Sequence, residues 1–482
     1  VKLRLRRGAP PPELPLVAPL RPGDAPPAGC DAGAATLRAP LDTAEAFAPR
    51  RAVLVATGDA PGPLACERAA GAAIAPLLAV AGGRVALDAR GFAPPLAAAL
   101  AAGALLRAWR FDALRSAPRP WIERIELFCD DPDAVAPHWQ RAEAAARGAL
   151  LARDLVAEPG NRLTPRAFAR RLEAIAEAEG LEIEVLGRKR LAEIGAGALL
   201  AVGAAAESGP YLVTLRWRGE LPQAPVVFVG KGITFDTGGV SIKPAQGMEE
   251  MRADMAGAAA CIGALVALAR RRSPAPSAAV LAIAENAVGA RSYRPGDVVR
   301  SLSGRSIEVV DTDAEGRLVL ADALHFALSR LRPLAMVDAA TLTGSVVVAL
   351  GHHRAGLFGT DEPLMAALAA SGEEVDEKLW PLPISERQRR DLDSDIADLR
   401  HCLPSGSGQG WGGRFIPDAC HAAAFLREFA GGCRWAHCDI AGVETREEDD
   451  PLGPKGPTGF GVRLFDRLVA ARFEEPDAHA AP

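Results

Sequence analysis

Val226–Pro244 reads VVFVGKGITFDTGGVSIKP. It opens as an unbroken apolar run, as expected of a strand covered on both faces. The strand is expected to end at Val229, leaving Lys231, Asp236 and Lys243 on a glycine-rich connection. In open α/β sheets, ligands bind in the crevice beyond the carboxyl ends of the strands. The chain continues as MEEMRADMAGAAACIGAL (Met248–Leu265), with Asp254 ahead of a helix whose first turn is all small residues. Small residues let that helix end approach another backbone closely. The same succession of strand, polar residues and helix recurs in SIEVVDTDAEGRLVLADAL (Ser306–Leu324). There Asp313 and Glu315 lie two apart, so in extended chain they project to one side, and Arg317 begins the helix.

Around these windows, Tyr211–Trp217, Ala278–Ala284, Ser306–Val310 and Leu334–Ala339 read as further strands, and Ala256–Arg272 as a helix between two of them. Pro165–Glu179 reads as a helix with Thr164 as N-cap and proline in the first position. The alternation predicts an α/β protein: an N-terminal α/β domain plus a C-terminal α/β domain with a central mixed, largely parallel sheet flanked by helices. The first domain is expected over residues 1–135, with strands at Ala52–Ala56, Arg84–Leu87 and Ile122–Cys129 and a helix at Leu64–Val80. Residues 1–45, rich in proline and alanine, read as extended or irregular chain outside the core. His138–Val156 carries a strong helical pattern, so residues 136–158 are expected to link the first domain to the second, residues 159–482.

Composition excludes several function classes. The 482 residues carry 55 Lys+Arg against 60 Asp+Glu, a net charge of −5, without the basic excess of a nucleic-acid binder. Aromatics are 5% of the chain, too few for a broad stacking platform. The longest apolar stretches, Phe92–Leu106 and Ala256–Leu268, fall short of the ~20 residues needed to cross a bilayer. Pro10, Pro11, Pro12 and Pro15 interrupt any secretory h-region. The eight cysteines include no CxxC, which suits a reducing compartment. His401-Cys402, Cys420-His421 and Cys433 with His437 and Cys438 fit no common zinc module. A cytoplasmic protein without a membrane partner is expected. HExxH, GxSxG and GxxxxGK[ST] are all absent, and the single DTG at Asp236 lacks the second aspartate that an aspartic protease needs.

Four carboxylates, Asp236, Asp254, Asp313 and Glu315, are thus delivered to strand ends. Singly, each would ordinarily be a solvated surface group. Packed together they repel one another and call for cations. Two divalent ions balance four carboxylates if Lys231 is neutral and donates its amine, which adjacent dications favour by depressing its pKa. Lys243 and Arg317 then remain as surplus positive groups, suited to a developing oxyanion and a bound anion, as metal-assisted hydrolysis requires.

The blocks VGKGITFDTGGVSIKP, MRADMAGAAA and DTDAEGRL resemble, in order and spacing, the signature blocks of the leucyl (cytosol) aminopeptidase family. The resemblance extends through AENAVG, RPGDVV, DAATLTG, WPLP, WAHCDIAG and PKGPTGFGVR, over about residues 155–470. The first 135 residues match loosely, through WRFDALRS. The resemblance implies a di-metal exopeptidase that removes single residues from the free N-terminus of peptides and assembles as a homohexamer. It implies that Lys231, Asp236, Asp254 and Glu315 hold one metal ion, and Asp236, Asp313 and Glu315 the other, with zinc or manganese in both places. It further implies that water or hydroxide between the metals attacks the scissile carbonyl, and that bicarbonate held by Arg317 is the general base. By the same resemblance Lys243 polarises the carbonyl, Met251 lines the pocket for the first substrate side chain, and Thr341 and Leu342 flank the substrate.

The chain departs from the family pattern in three places. Asp311 stands where asparagine is usual, from which tighter metal retention or a shifted pH optimum is expected. Residues 395–422 are unusual around their glycines and at Pro417, Asp418, Cys420 and His421. DIAGVETREEDD (Asp439–Asp450) lacks the tryptophan that often follows DIAG, so the substrate pocket or a subunit contact is expected to differ. Two other functions compete. Some relatives also bind DNA, for which Lys2, Arg4, Arg6 and Arg7 could serve, but the acidic balance argues against it. A di-metal phosphatase or amidase on a similar scaffold is disfavoured by the lysine ligand and the peptide-pocket positions.

Overall fold

The computed structural model describes residues 1–21, 24–27, 30, 37, 39–46, 51–79, 83–117, 121–404 and 418–475. The chain divides into two compact units, residues 1–150 with 447–456 and residues 151–446 with 457–482. The boundary falls inside one long helix, Pro132–Ala157.

The first unit is built on β1 (Lys2–Arg7), β2 (Leu16–Leu20), β3 (Thr43–Ala46), β4 (Ala52–Ala56), β5 (Arg84–Asp88) and β6 (Arg124–Cys129), in the order β1-β6-β5-β2-β4-β3. Only the β3–β4 pair is antiparallel. This corrects the expectation that residues 1–45 stay outside the core: β2 sits inside the sheet with Leu16 and Val17 fully buried. Pro19 hides the strand from a sequence reading, because proline cannot donate to a ladder. The structure tolerates it because β5 pairs only with Leu16 and Val17, leaving the Pro19 end bonded to β4 alone. The helices Pro63–Ile74 and Pro94–Arg107 pack together through Gly103, where a Cβ would lie 1.8 Å from the Glu67 carbonyl oxygen. The first of them stops at Ile74 and passes into a 3₁₀ turn over Ala75–Leu77, short of the expected Val80, since Pro76 would clash within a continuing α-helix. Val80 itself lies outside the described residues.

The second unit carries β7 (Glu182–Gly187), β8 (Tyr211–Trp217), β9 (Val226–Asp236) and β10 (Ser277–Asn286), followed by β11 (Val298–Arg300) and β12 (Ser306–Glu308). Then come β13 (Ala335–Ala340), β14 (Ala355–Gly359), β15 (Leu379–Pro381), β16 (Leu399–Arg400) and β17 (Trp435–Asp439). An eight-stranded mixed sheet runs β15-β14-β17-β13-β9-β10-β8-β7, with β17, β13, β9 and β10 parallel at its centre. β11, β12 and β16 form a separate three-stranded sheet.

β9 corrects the sequence reading at its most informative point. The strand does not end at Val229 but runs through Gly230 and Lys231 to Asp236. Its glycines are there for closeness: a Cβ on Gly230 would come within 2.5 Å of Ala258 Cα in the Ala256–Arg270 helix. Glycine therefore lets that helix press against one face of β9 while Lys231 points to the other, where its stem lies against Gly316. The Ala256–Arg270 helix is apolar all round and buried over nearly its whole length, as a core helix should be. Extended to Met248 it is long and apolar enough to cross a membrane by length and composition, yet it is mostly buried inside the protein.

Candidate metal and catalytic site

β13 and β17 end level with Lys231, while β9 and β10 run on to Asp236 and Asn286, and the polar residues gather around these carboxyl ends. Lys231 and Asp236 come from β9, and Asp254 from the end of a 3₁₀ turn, Met248–Ala253. Glu315 is the first residue of the Glu315–Leu331 helix and Asp313 lies in the turn before it. Arg317 is thus the third helical residue, and the carboxylates of Asp313 and Glu315 are brought together by a turn and a helix start, not by an extended run.

The two windows meet. Lys231 Nζ lies 2.8 Å from Asp254 Oδ1 and 2.8 Å from Glu315 Oε1, and donates to the Thr341 carbonyl at 2.8 Å. Lys243 Nζ lies 2.8 Å from Asp236 Oδ2 and also pairs with Asp313. One oxygen each from Asp236, Asp313 and Glu315 falls within 4.8 Å of the others, the one such group of histidine, cysteine or carboxylate side chains among the described residues. The histidine and cysteine neighbours at 401–402, 420–421 and 433–438 form no such group there, and all eight cysteines are free thiols.

Asp254 Oδ2 and Glu315 Oε2 are buried and have no hydrogen-bond partner. Four carboxylates share two ammonium groups, so the cluster is two negative charges in surplus if all ionise. Burial and then Asp236 push Glu315 up to about 8. Burial raises Asp254 to about 6 against the pull of Lys231, and burial with Asp236 raises Asp313 to about 6. Burial alone would lower Lys231, but Asp254, Glu315 and Asp236 together raise it, and Asp236 with Asp313 does the same for Lys243. Both lysines are therefore held charged by their carboxylates. A cluster that hoards protons and keeps two dry lone pairs is chemically a set of hard ligands for divalent cations.

Several neighbours outside the proposed ligand set hold these side chains in place. Asn286, at the end of β10, donates from Nδ2 to Asp236 Oδ1 at 2.8 Å and to the Thr312 carbonyl at 2.9 Å, tying the two windows together. The Gly238 amide donates to the same Asp236 oxygen at 2.8 Å. Asp311, the residue in the unusual position, accepts the Asp313 amide at 2.9 Å. His401 is buried and receives the Val310 amide on Nδ1, so Nε2 carries the proton it donates to the Asp311 carbonyl at 2.8 Å. Burial and then Arg317 lower His401 to about 4, keeping it neutral. Asn286 shows itself in sequence only as a member of the AENAVG block, without ligand chemistry of its own.

Arg317 is buried, with Nη1 on the His401 carbonyl at 3.0 Å and Nη2 on Asp418 at 2.9 Å, while its Nε has no partner. Thr341 donates to Asp254 Oδ1 at 2.6 Å, and the Leu342 amide donates to Asp439 at 3.0 Å. Both sit in the loop that leaves β13. Met251 lies half-buried in the 3₁₀ turn, three residues before Asp254. Of the unusual 395–422 segment, residues 405–417 lie outside the described residues.

Residues 150–465 match the family described as "Cytosol aminopeptidase family, catalytic domain". A protein of Gluconobacter oxydans named "Probable cytosol aminopeptidase" is 43% identical over 413 residues, 85% of this chain and 81% of that one. A protein of Wolbachia pipientis with the same name is 44% identical over 388 residues, 79% of this chain and 76% of that one. Among solved structures, "Bottromycin maturation enzyme BotP in complex with Mn" superposes with a TM-score of 0.84 at 34% identity, covering 95% of this chain and 99% of that one.

Proposed function

Since the chain belongs to the cytosol aminopeptidase family, we propose that it removes single amino acids from the free N-terminus of peptides with the help of two divalent metal ions. The observation that carries this is the pair of buried, partnerless oxygens, Asp254 Oδ2 and Glu315 Oε2, beside the triad of Asp236, Asp313 and Glu315. Lys231, Asp236, Asp254 and Glu315 would hold one ion, and Asp236, Asp313 and Glu315 the other. Manganese or zinc bound there supplies Lewis acidity and activates the attacking water.

The chain's own residues do the rest. Lys231, held charged by its carboxylates, can give its amine to a metal only because dications reverse the local field. Lys243 stands at the rim between Asp236 and Asp313, where its ammonium can turn to the scissile carbonyl and neutralise the oxyanion as it develops. Arg317 offers its unpaired Nε to an anion, and bicarbonate held there would act as general base. Asp254 fixes Thr341, and the loop Thr341–Thr343 with Met251 frames the substrate's first residue. A cytoplasmic location is in keeping with the names of its relatives, and a homohexamer is the assembly this reading carries with it.

The test is a panel of aminoacyl amides, their N-acetylated counterparts and a phosphoester, each offered to manganese-loaded protein. Release from the free-amine substrates alone is expected, and Lys243→Ala should slow it by about 10² or more with metal content unchanged. Cleavage of the phosphoester without N-terminal release would overturn the reading.

A further inference from the structure

The turn after β17 holds a second acid that the proposed metal ligands do not use. Asp439 ends the strand and is occupied: its carboxylate accepts the Leu342 amide at 3.0 Å and the Thr343 hydroxyl at 2.7 Å. Glu444, five residues on, is different. Its Oε2 is buried without a hydrogen-bond partner, and the amides facing its carboxylate are its own and that of Gly442. The backbone around it is pinned. The Thr458 amide donates to the Glu444 carbonyl at 2.9 Å, the Thr458 hydroxyl to the Val443 carbonyl at 2.7 Å, and His352 pairs with the Gly442 carbonyl at 2.8 Å. The main chain from which the side chain departs is therefore fixed.

Glu444 lies within electrostatic reach of Asp254 and Asp439. Those two residues bracket one loop, since Asp254 holds the Thr341 hydroxyl and Asp439 holds Leu342 and Thr343. Glu444 thus shares its electrostatic surroundings with the two acids that hold Thr341–Thr343, the segment proposed to flank the first residue of the substrate. It belongs to the Asp439–Asp450 stretch, where the chain departs from its family's sequence pattern. A carboxylate oxygen deprived of both water and partner is costly unless a cation or donor reaches it. The proposed metal ions already have their carboxylates, and Lys231 and Lys243 are each shared between two others. Among the described residues no ion pair reaches Glu444, which leaves its carboxylate for a cationic group of the substrate.

We propose that Glu444 is a specificity-determining residue that receives the cationic side chain of an N-terminal lysine or arginine, so that the preferred substrates are peptides with a basic first residue. The inference rests on the aminopeptidase reading above. A charge-assisted hydrogen bond in a water-poor pocket discriminates strongly, because an aliphatic side chain leaves the carboxylate unpaired.

The experiment compares kcat/KM for lysyl, arginyl, leucyl and norleucyl coumarin amides in the wild type, Glu444→Gln and Glu444→Asp, each checked for metal content and thermal stability. The wild type should favour lysyl over norleucyl by about tenfold or more. Glu444→Gln should lose that ratio, mainly through a higher KM for the lysyl substrate, while norleucyl turnover changes less than about threefold, and Glu444→Asp should keep part of it. An unchanged ratio in Glu444→Gln, or a wild type that favours norleucyl, overturns the inference while leaving the aminopeptidase reading intact. If no amide is hydrolysed, the aminopeptidase reading falls instead. Calorimetry with the hydroxamates of lysine and norleucine then still decides on Glu444: equal affinity for the two overturns its role, and tighter lysine binding abolished by Glu444→Gln supports it.

Discussion

The larger unit buries carboxylates in two settings and treats them oppositely. At the start of the Val462–Arg472 helix, Glu377 Oε2 accepts the amides of Gly461 at 2.8 Å and Leu464 at 3.0 Å, capping a helix that has no side-chain cap of its own. Asp322, within the Glu315–Leu331 helix, accepts the Leu199 amide at 2.9 Å on one oxygen and the Leu302 amide at 2.7 Å on the other. At the ends of the central strands, Asp254 and Glu315 are as deeply buried, yet each keeps an oxygen with no partner at all. Burial alone therefore does not mark a ligand. The distinction lies in whether the backbone supplies donors: where it does, the acid is satisfied within the fold, and where it withholds them, the acid is open to a cation, as the proposed function requires.

The comparison breaks most visibly at Glu315. Glu315→Gln should lose bound metal and at least about 10³ in turnover, since a Lewis-acid contribution of several kcal/mol disappears at 1.36 kcal/mol per factor of ten. In chelator-treated protein at neutral pH the same change should leave the melting temperature unchanged or raised, because burial and Asp236 already hold Glu315 up to about 8 and the amide replaces a carboxyl that is mostly protonated. Metal analysis and thermal melts check both halves, and a large loss of stability in the stripped variant would make Glu315 a structural acid after all.

The next effect is one of pH. In the metal-free protein burial and Asp236 hold Glu315 up to about 8, and burial with its neighbours holds Asp254 and Asp313 up to about 6. Below those values each carboxyl keeps a proton that an incoming ion must displace. Metal affinity should therefore weaken as pH falls from 8 to 6, by about tenfold per unit for each proton released. Titrations in buffers of different ionisation heat count those protons, and uptake without proton release would contradict the assignment.

The smallest effect on activity belongs to Glu377. Glu377→Ala leaves two amides unpaired at the start of the last helix and should cost about 1–3 kcal/mol of stability. Turnover by the folded, metal-loaded variant should stay within about twofold. Denaturant melts alongside turnover test this, and a fall in turnover as large as that for Glu315→Gln would erase the distinction drawn between the two settings.

Much of the catalytic fold was legible because strand ends and ligands fall in the same windows. The carboxylates and lysines were readable by type and order, and their convergence follows from β9 carrying Lys231 and Asp236 to a place where the Met248–Ala253 turn and the start of the Glu315–Leu331 helix meet it. What stayed hidden was geometry set by packing. β9 runs seven residues beyond its expected end because Gly230 serves close contact with a helix, and a glycine-rich run reads locally as a loop. β2 was hidden by Pro19, whose missing donor matters only on a paired side. Asn286 and Glu444 look like ordinary polar residues in sequence. Their significance lies in what their side chains do or do not touch, which no spacing rule reports.

Direct metal counting tests whether the partnerless oxygens of Asp254 and Glu315 hold metal, as proposed. Chelator-stripped protein titrated with manganese, with bound ions counted and N-terminal release followed in the same samples, should take up two ions per chain and regain hydrolysis as they bind. Full hydrolysis in the stripped protein, or no tight binding of any divalent ion, would contradict it.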